Sequence, residues 1–369
     1  MKIAILGTRG VPNYHGGFEQ FAEFFSVYLA NKGHEVYVYN SSNHPYQDKS
    51  FKGVNIIHCK DPEDKIGTVG QFIYDYNCIL NSKKQNFDVI LQLGYTSNSI
   101  WHWLLPKKPV IITNMDGLEW KRSKYSKKVQ KFLKYAEKLA VKSSDFLISD
   151  SIGIQDYLKQ EYNVNSEYIA YGAEIFTQSD VKFIKEFDVE ANGYNMLIAR
   201  LEPENNIETI LEGVQRSNSN LPFLVVGKYD NKFGIYLKEK FKNSKNIRFL
   251  GGIYDLEKLN NLRYYSNLYF HGHSVGGTNP SLLEAMASNC LIIANDNVFN
   301  KSILKDNAFY FKDADDVAKH LTSLNKESYK DKVEKCKELI LNKFDWKYIN
   351  DLYLKFIIKC YEDYQKNNK

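Results

Sequence analysis

An α/β architecture of two Rossmann-like, doubly wound domains facing a central cleft is predicted by three features of this 369-residue sequence. Apolar runs of four to six residues alternate with longer stretches of helical periodicity, which implies βαβ units and mostly parallel sheets. The alternation lapses once, from Ala173 to Asn192, where the chain is polar, charged and without period. It then starts again, so a length too great for one typical domain divides into two, at 1–175 and 176–346. Two such halves place a ligand cleft at the carboxyl ends of their sheets.

Taken in order, Lys2–Leu6 is a buried first strand, because Thr8-Arg9-Gly10 interrupts the apolar run too early for a signal peptide. Phe18–Lys32 reads as an amphipathic helix closed by Gly33, Glu35–Tyr39 and Val54–His58 as strands, and Gly70–Ser82 as a helix. Val89–Leu93 and Val110–Asn114 are further strands, and a basic helix follows. Asp145–Ser149, helical Gly153–Glu161 and Ser166–Ala170 complete the first round. The second runs through strand Tyr194–Ala199, helix Ile207–Ser217, strand Pro222–Val226, helix Tyr236–Asn243, strand Ile247–Leu250 and helix Leu256–Ser266. Leu268–Phe270, helical Ser281–Ser288, Leu291–Ala294, Ala308–Phe311 and Val317–Asn325 continue it, and Lys347–Tyr364 is a long amphipathic helix.

Composition narrows the class. With 43% hydrophobic and 25% charged residues the chain is globular, and no run approaches the roughly 18 apolar residues of a bilayer span. Its five cysteines are scattered without metal-ligand spacing, which suits a reduced cytoplasmic compartment with neither disulfide nor zinc. Residues 121–142 hold nine Lys or Arg against one acid, Glu137, so this stretch is +8 and the remainder of the +5 chain is mildly acidic. Val129, Phe132, Leu133, Ala136, Leu139 and Ala140 recur there at helical spacing. Two readings stand: a helix lying on anionic lipid headgroups, or a solvated face whose apolar stripe packs on its own sheet. Nucleic acid is disfavoured, since no reading motif appears.

The loops carry the chemistry. His271–Cys290 passes from a strand through Gly276-Gly277-Thr278-Asn279-Pro280 into a helix, whose free N–H groups favour phosphate, and Pro280 suits its first turn. Glu284, one turn on, is placed for a nucleotide ribose hydroxyl, and together these suggest a nucleotide-sugar site; the alternative is an ordinary strand–loop–helix corner. The loop Gly7-Thr8-Arg9-Gly10-Val11-Pro12 runs on to Gly16-Gly17, whose amides either approach a phosphate or sugar or serve a turn. Asp116, at a strand end, accepts a proton or fixes a sugar hydroxyl, while Asp116 and Glu119 otherwise cap a helix, and Trp120 stacks on a sugar or fills the core. Arg200 and Lys228 follow successive strands and suit a diphosphate. His271 and His273 face the same way, with His273 as a hydrogen-bonding wall; no third ligand is near, and no metal is assigned.

With these residues in hand, the chain resembles the retaining glycosyltransferases of family 4, which have the GT-B fold. The resemblance rests on the glycine loop, on Ala199-Arg200-Leu201-Glu202-Pro203-Glu204 and on Asn279-Pro280-Ser281-Leu282-Leu283-Glu284-Ala285-Met286. The first half resembles the DUF1972 subgroup, through Gly7–Pro12, His15-Gly-Gly-Phe-Glu19 and Asp116-Gly-Leu-Glu-Trp-Lys-Arg122. Several members of that subgroup are rhamnosyltransferases of bacterial surface polysaccharide synthesis.

The resemblance implies transfer of a sugar, rhamnose from dTDP-rhamnose as best match, to a saccharide acceptor, lipid-linked, with retention. It implies Arg200, Lys228 and Asp116 as catalytic groups, and Gly16, Gly17, His273, Gly277, Thr278, Asn279, Pro280, Ser281 and Glu284 on the donor. Glu119 and Trp120 fall to the acceptor. The first domain would then bind acceptor and the second the nucleotide sugar, without metal or other cofactor, with 347–369 crossing back onto the first. The enzyme would be cytoplasmic, or peripheral on the inner membrane face through 121–142.

Two departures stand out. The first of the family's two glutamates falls at Gly276, and the lysine that follows the family's arginine falls near Asn205 and Asn206. A GT-B nucleotide-sugar epimerase and a non-catalytic sugar-nucleotide-binding protein are the alternatives.

Overall fold

The computed structural model describes every residue except His15, Asp116, Ser123, Lys124, Gly276, Asn368 and Lys369. The chain divides into two compact units, one of Met1–Trp120, Tyr125–Tyr171 and Trp346–Lys369, the other of Lys121–Lys124 and Gly172–Asp345.

Unit one is built on β1 (Lys2–Leu6), β2 (Glu35–Ser41), β3 (Ser50–Phe51), β4 (Val54–Cys59), β5 (Val89–Leu93), β6 (Val110–Asn114), β7 (Phe146–Ser149) and β8 (Glu167–Tyr168). They lie in the order β3-β4-β2-β1-β5-β6-β7-β8, all parallel except the β3–β4 pair. Strands β5 and β6 are buried along their whole length, as expected for parallel strands covered on both faces. The helices are α1 (Gly17–Asn31), α2 (Glu63–Ile66), α3 (Val69–Ser82), α4 (Lys127–Ser143) and α5 (Ile152–Tyr162).

The basic helix begins later than its charge pattern predicts. Ser126 caps α4 by accepting from the Val129 N–H, and Glu119 belongs to a separate 3-10 turn, Glu119–Lys121, so Glu119 does not cap this helix. Its buried face is Leu133, Ala136, Glu137 and Ala140; Val129 and Phe132 stay exposed.

Unit two holds β9 (Asn195–Ile198), β10 (Phe223–Val226), β11 (Ile247–Gly251), β12 (Leu268–His271), β13 (Ile292–Asn295) and β14 (Phe309–Phe311). Their order is β11-β10-β9-β12-β13-β14, all parallel. Counted from β9 this is the Rossmann order, with its reversal between β9 and β12. The unit's helices are α6 (Lys182–Lys185), α7 (Ile207–Arg216), α8 (Lys232–Lys240), α9 (Leu256–Tyr264), α10 (Pro280–Ala287), α11 (Val298–Leu304), α12 (Ala314–Ser323) and α13 (Lys330–Leu339). Leu197, Val225, Phe270, Ile293 and Phe311 from the strands pack with Ile210 and Leu211 of α7 in its core. The polar stretch after Ala173 is not featureless, because Ile184 of α6 is fully buried.

The last helix, α14 (Trp346–Asn367), belongs to unit one. Its Trp346 ring stacks on Phe24 at 4.7 Å, and its Tyr353 packs on Phe21 at 4.6 Å. The buried Tyr353 hydroxyl accepts from Asn114 Nδ2 at 2.8 Å, which ties α14 to the end of β6.

Candidate functional site

In unit two the loops after β9, β10 and β12 meet where the strand order reverses, the place at which open α/β sheets bind ligands. Glycine makes the meeting sterically feasible. A Cβ on Gly227 would stand 2.1 Å from the Ala199 carbonyl oxygen, and one on Gly272 would stand 2.0 Å from that of Asn205. Asparagine amides then tie the loops together. Asn205 Nδ2 donates to the Arg200 carbonyl at 2.7 Å, Asn206 Nδ2 to that of Gly272 at 2.8 Å, and Asn231 Nδ2 to that of Leu201 at 2.8 Å. The His273 carbonyl accepts from Asn297 at 3.0 Å and Asn300 at 3.1 Å, and the Ser274 hydroxyl donates to the Glu204 carbonyl at 2.7 Å.

On this fixed backbone stand two cations. Arg200 follows β9 and Lys228 follows β10; both side chains are exposed, and among the described residues neither is paired with a carboxylate. Lys228 Nζ lies 5.4 Å from the centre of the Tyr254 ring. At the end of β12 come the two histidines, their rings stacked at 4.4 Å with an interplanar angle of 16°. Among the described residues neither ring nitrogen of His271 has a hydrogen-bond partner, nor does His273 Nδ1. Burial pushes the His271 imidazole well below its ordinary value, and His273 and Arg263 add to it. His273 is held down to about 3 by burial first, then by Arg200 and Arg122. Both rings are therefore neutral at physiological pH.

The start of α10 differs in detail from the expected nest. Pro280 opens the helix and Asn279 caps it, its Oδ1 accepting from the Ser281 N–H at 2.9 Å. The amides of Leu282 and Leu283 are committed to the Asn279 main-chain carbonyl and that of Ser281 to the Asn279 side chain, so the helix start itself offers an anion fewer donors than a nest requires. The Ser281 hydroxyl pairs with the buried Tyr269 hydroxyl at 2.9 Å. Thr278 is buried, and Gly276 lies outside the described residues.

Glu284 has a partner that sequence reasoning did not foresee. Arg263, on α9, is almost wholly buried, and its Nη2 donates to Glu284 Oε2 at 2.5 Å while Nη1 donates to Asn260 at 2.8 Å. The carboxylate is thus oriented from below, with its side chain 20% exposed. No pattern in Leu256–Tyr264 marks Arg263, because its partner lies on another helix.

In unit one the corresponding reversal lies between β1 and β5. Gly7 has φ +85°, and a Cβ there would meet the Leu93 carbonyl oxygen at 2.2 Å. The loop beyond it is pinned: Arg9 makes a two-pronged contact with Glu63 at 2.9–3.1 Å, and Glu19 accepts from the Arg9 N–H at 2.9 Å. Gly16 opens α1 without a side-chain cap, and the Gly17 carbonyl accepts from Tyr171 at 2.8 Å. Trp120 is held edge-on by Glu137, whose Oε2 accepts from its Nε1 at 3.1 Å, and Lys134 Nζ lies 4.9 Å from its ring centre. Glu137 also accepts from Tyr157 and Tyr162, both at 2.6 Å. Glu119 is partly exposed beside Trp120. Asp116, expected near the reacting carbon, and His15 lie outside the described residues. Among the described residues no cluster of three or more His, Cys, Asp or Glu has metal-binding geometry.

Comparison with known families matches this division. Residues 1–174 match the model "Domain of unknown function (DUF1972)", and residues 182–344 match "Glycosyl transferases group 1". The chain pairs a DUF1972 domain with a group 1 glycosyltransferase domain. A search of curated proteins returned no match.

Among solved structures, sucrose-phosphate synthase from Thermosynechococcus elongatus superposes with TM-score 0.80 at 15% identity, over 98% of this chain and 99% of that one. HepE from Anabaena, solved with UDP-glucose, gives 0.75 at 14% identity over 97% and 99%. An α,α-trehalose-phosphate synthase (UDP-forming) from Burkholderia xenovorans, in complex with glucose-6-phosphate, gives 0.70 at 11% identity over 97% and 100%. At these identities the likeness is one of fold, and the fold of this group 1 glycosyltransferase is GT-B, with two Rossmann-like domains.

Proposed function

We propose that this glycosyltransferase moves a hexosyl group, rhamnose from dTDP-rhamnose as the specific reading, onto a saccharide hydroxyl of a lipid-linked acceptor with retention of configuration. The observation that carries the reading is the pair of cations, Arg200 and Lys228, that have no carboxylate partner among the described residues and stand at the strand-order reversal of the group 1 domain. A diphosphate supplies the negative charge they lack. The solved relatives named for UDP-glucose and for UDP-forming synthesis support a nucleoside diphosphate donor.

In this reading the bond between the sugar's anomeric carbon and the diphosphate oxygen breaks, and a bond from that carbon to the acceptor oxygen forms on the same face. The acceptor's proton passes to the departing diphosphate. Arg200 and Lys228 stabilise the charge that grows there, with the loop residues Gly277, Thr278 and Asn279 beside the donor. His273 and the loop through Pro280 and Ser281 wall the donor, and Glu284 takes a ribose hydroxyl, the 3′-hydroxyl in a dTDP donor. Asp116 is assigned to the sugar near its reacting carbon. The unit-one domain takes the acceptor, with Gly16 and Gly17 near the sugar, Glu119 as a hydrogen-bonding group and Trp120 as a wall whose orientation Glu137 sets. No metal or other cofactor enters the scheme. The setting is the cytoplasmic side of bacterial surface polysaccharide synthesis.

A panel of nucleotide sugars incubated with and without saccharide acceptors tests it. Release of nucleoside diphosphate that depends on acceptor, with a new α- or β-linkage matching the donor's configuration, is the expected result. Conversion of a nucleotide sugar to its epimer without acceptor would make the protein an epimerase. Failure to bind any nucleoside diphosphate in calorimetry would make it a binding module for something else.

A further inference from the structure

Helix α4 leaves its basic face without counterions. Lys127, Lys128, Lys131, Lys138 and Lys142 are exposed, and among the described residues none of them is paired with a carboxylate; Lys134, by contrast, is engaged by Glu137 and Glu161. Lys128, Lys131, Tyr135, Lys138 and Lys142 follow one another at three- and four-residue steps, so they form one outward stripe. Tyr135 is 57% exposed.

Beside that stripe the surface is apolar, and three separate segments build it. Phe132 of α4 lies 5.8 Å, ring to ring, from Phe72 of α3. Val69 and Ile73, on the same face of α3 as Phe72 by their spacing, are exposed. The Phe72 carbonyl accepts from Trp101 Nε1 at 2.8 Å, and the Trp101 ring lies 5.7 Å from that of Trp103. Trp103, in the 3-10 segment Ser99–Leu104, is 63% exposed, and Lys107 and Lys108 follow it at the surface. Solvation accounts for the lysines but not for exposed tryptophan, tyrosine, valine and isoleucine grouped beside them. A nucleic acid would use the aromatic rings and leave Val69 and Ile73 unexplained. Aliphatic and aromatic side chains flanked by unpaired lysines match the boundary of an anionic bilayer, where rings settle at headgroup level and lysines meet lipid phosphate.

We propose that this face of unit one, formed by α4, α3 and Ser99–Leu104, docks on an anionic lipid membrane. It deepens the lipid-linked acceptor of the proposed function and rests on that reading only for its purpose, since docking needs no donor. Among the described residues no helix is long and apolar enough to cross a membrane, so the contact is a surface one.

Cosedimentation with phosphatidylcholine vesicles, with and without phosphatidylglycerol, tests it. The protein should bind the anionic vesicles and not the neutral ones. A lysine near the surface contributes about fivefold in partitioning, so K128Q/K131Q/K138Q should weaken binding roughly 100-fold. W103S/Y135S, which leaves the charge unchanged, should weaken it at least about tenfold. All these side chains are at the surface, and thermal midpoints and nucleoside diphosphate affinity should match the parent; the latter keeps this test separate from that of sugar transfer. No binding by the parent, undiminished binding by the lysine variant, or loss on lysine substitution alone with W103S/Y135S unaffected would each overturn the proposal, the last by reducing the face to a polyanion contact.

Discussion

Replacing Glu284 perturbs two functions at once, and the structure says how to separate them. Its carboxylate is the counterion of Arg263, whose side chain is 2% exposed and whose Nε has no hydrogen-bond partner among the described residues. Removing one member of a buried ion pair costs about 3–5 kcal/mol, because the other charge is stranded. Water reaches Glu284, at 20% exposure, so the lower end, about 3 kcal/mol, is expected for Glu284→Ala. For a unit of this size that is roughly a 6–12 °C fall in midpoint. The two units unfold as separate cooperative blocks in this expectation, so only the transition of unit two should move.

Scanning calorimetry without ligand reads this directly. R263M/E284L, which removes both charges, should recover most of the loss. Arg263→Met alone leaves a carboxylate that water can solvate but that nothing orients; its stability cost should be smaller, while nucleotide affinity falls through a raised KM with little change in kcat. If Glu284→Ala melts like the parent without ligand and only nucleotide binding suffers, the ion pair carries no stability and the reasoning fails. An inactive Glu284 variant that is also destabilised would say little about ribose contact by itself.

Other expectations follow from the same geometry. Arg200→Ala should weaken nucleoside diphosphate binding about 10–100-fold in calorimetry, Lys228→Ala less, and neither should lower the ligand-free melting midpoint, because among the described residues neither has a counterion. Gly272→Ala should cost about 1–3 kcal/mol and loosen the Arg200 loop, since its Cβ would meet Asn205 at 2.0 Å; equal stability in urea unfolding would show that the loops yield freely. Glu137→Ala should destabilise unit one by about 1–3 kcal/mol, because it removes the acceptor that Trp120, Tyr157 and Tyr162 share and leaves Lys134 with Glu161 as its remaining carboxylate. The histidine pair sets a pH dependence: both rings are depressed when folded but titrate near 6.5 when unfolded, so the unfolded chain binds more protons as pH falls. Stability from them is present above about pH 6.5 and is lost as pH falls towards 3, and H271N/H273N should flatten the decline in midpoint between pH 7 and 4.5; an unchanged slope would mean the rings are protonated in place.

Strands that are buried on both faces were the most legible part of the sequence. Lys2–Leu6, Val89–Leu93 and Val110–Asn114 form over those very residues, because a fully covered parallel strand is a continuous apolar run with polar residues at its ends. Helix starts were less so. α8 begins at Lys232 rather than Tyr236, since Asn231 accepts from the Gly234 N–H at 2.7 Å and a cap acts before the apolar period begins. The two-residue β3 has too few positions to show an alternation.

At the site, the i, i+2 spacing of His271 and His273 sufficed to place them side by side, and the cations at strand ends follow from topology alone. What stayed hidden depends on contacts distant in sequence: Arg263 beneath Glu284, and the Glu137 cradle that orients Trp120. A buried arginine in a polar helix has the same local pattern as an exposed one. The start of α10 offers fewer donors than its sequence suggests for a related reason, because whether the Asn279 side-chain oxygen accepts from the Ser281 amide is a matter of rotamer.

The way unit two ties its loops bears on what it binds. Asn205, Asn206, Asn231, Asn297 and Asn300 hold the backbone of the crevice with neutral amides. A carboxylate could not take their place, because each amide donates to a main-chain carbonyl oxygen, and it would also cancel the charge of Arg200 and Lys228. The buried acid nearby, Glu204, has Arg122 at 3.9 Å instead, and its main chain, not its side chain, holds Ser274. The stacked histidines, kept neutral by burial, add a polar wall without a further positive charge. Among the described residues the cations of these loops without a carboxylate partner are Arg200 and Lys228, on adjacent loops, and their charge is about what one diphosphate balances. A donor carrying a single phosphate would leave one cation unmet, so competition by nucleoside monophosphates should be weaker than by diphosphates by at least about tenfold. Equal competition by the two, measured by displacement of a bound diphosphate, would count against the cation pair as the element that recognises the donor.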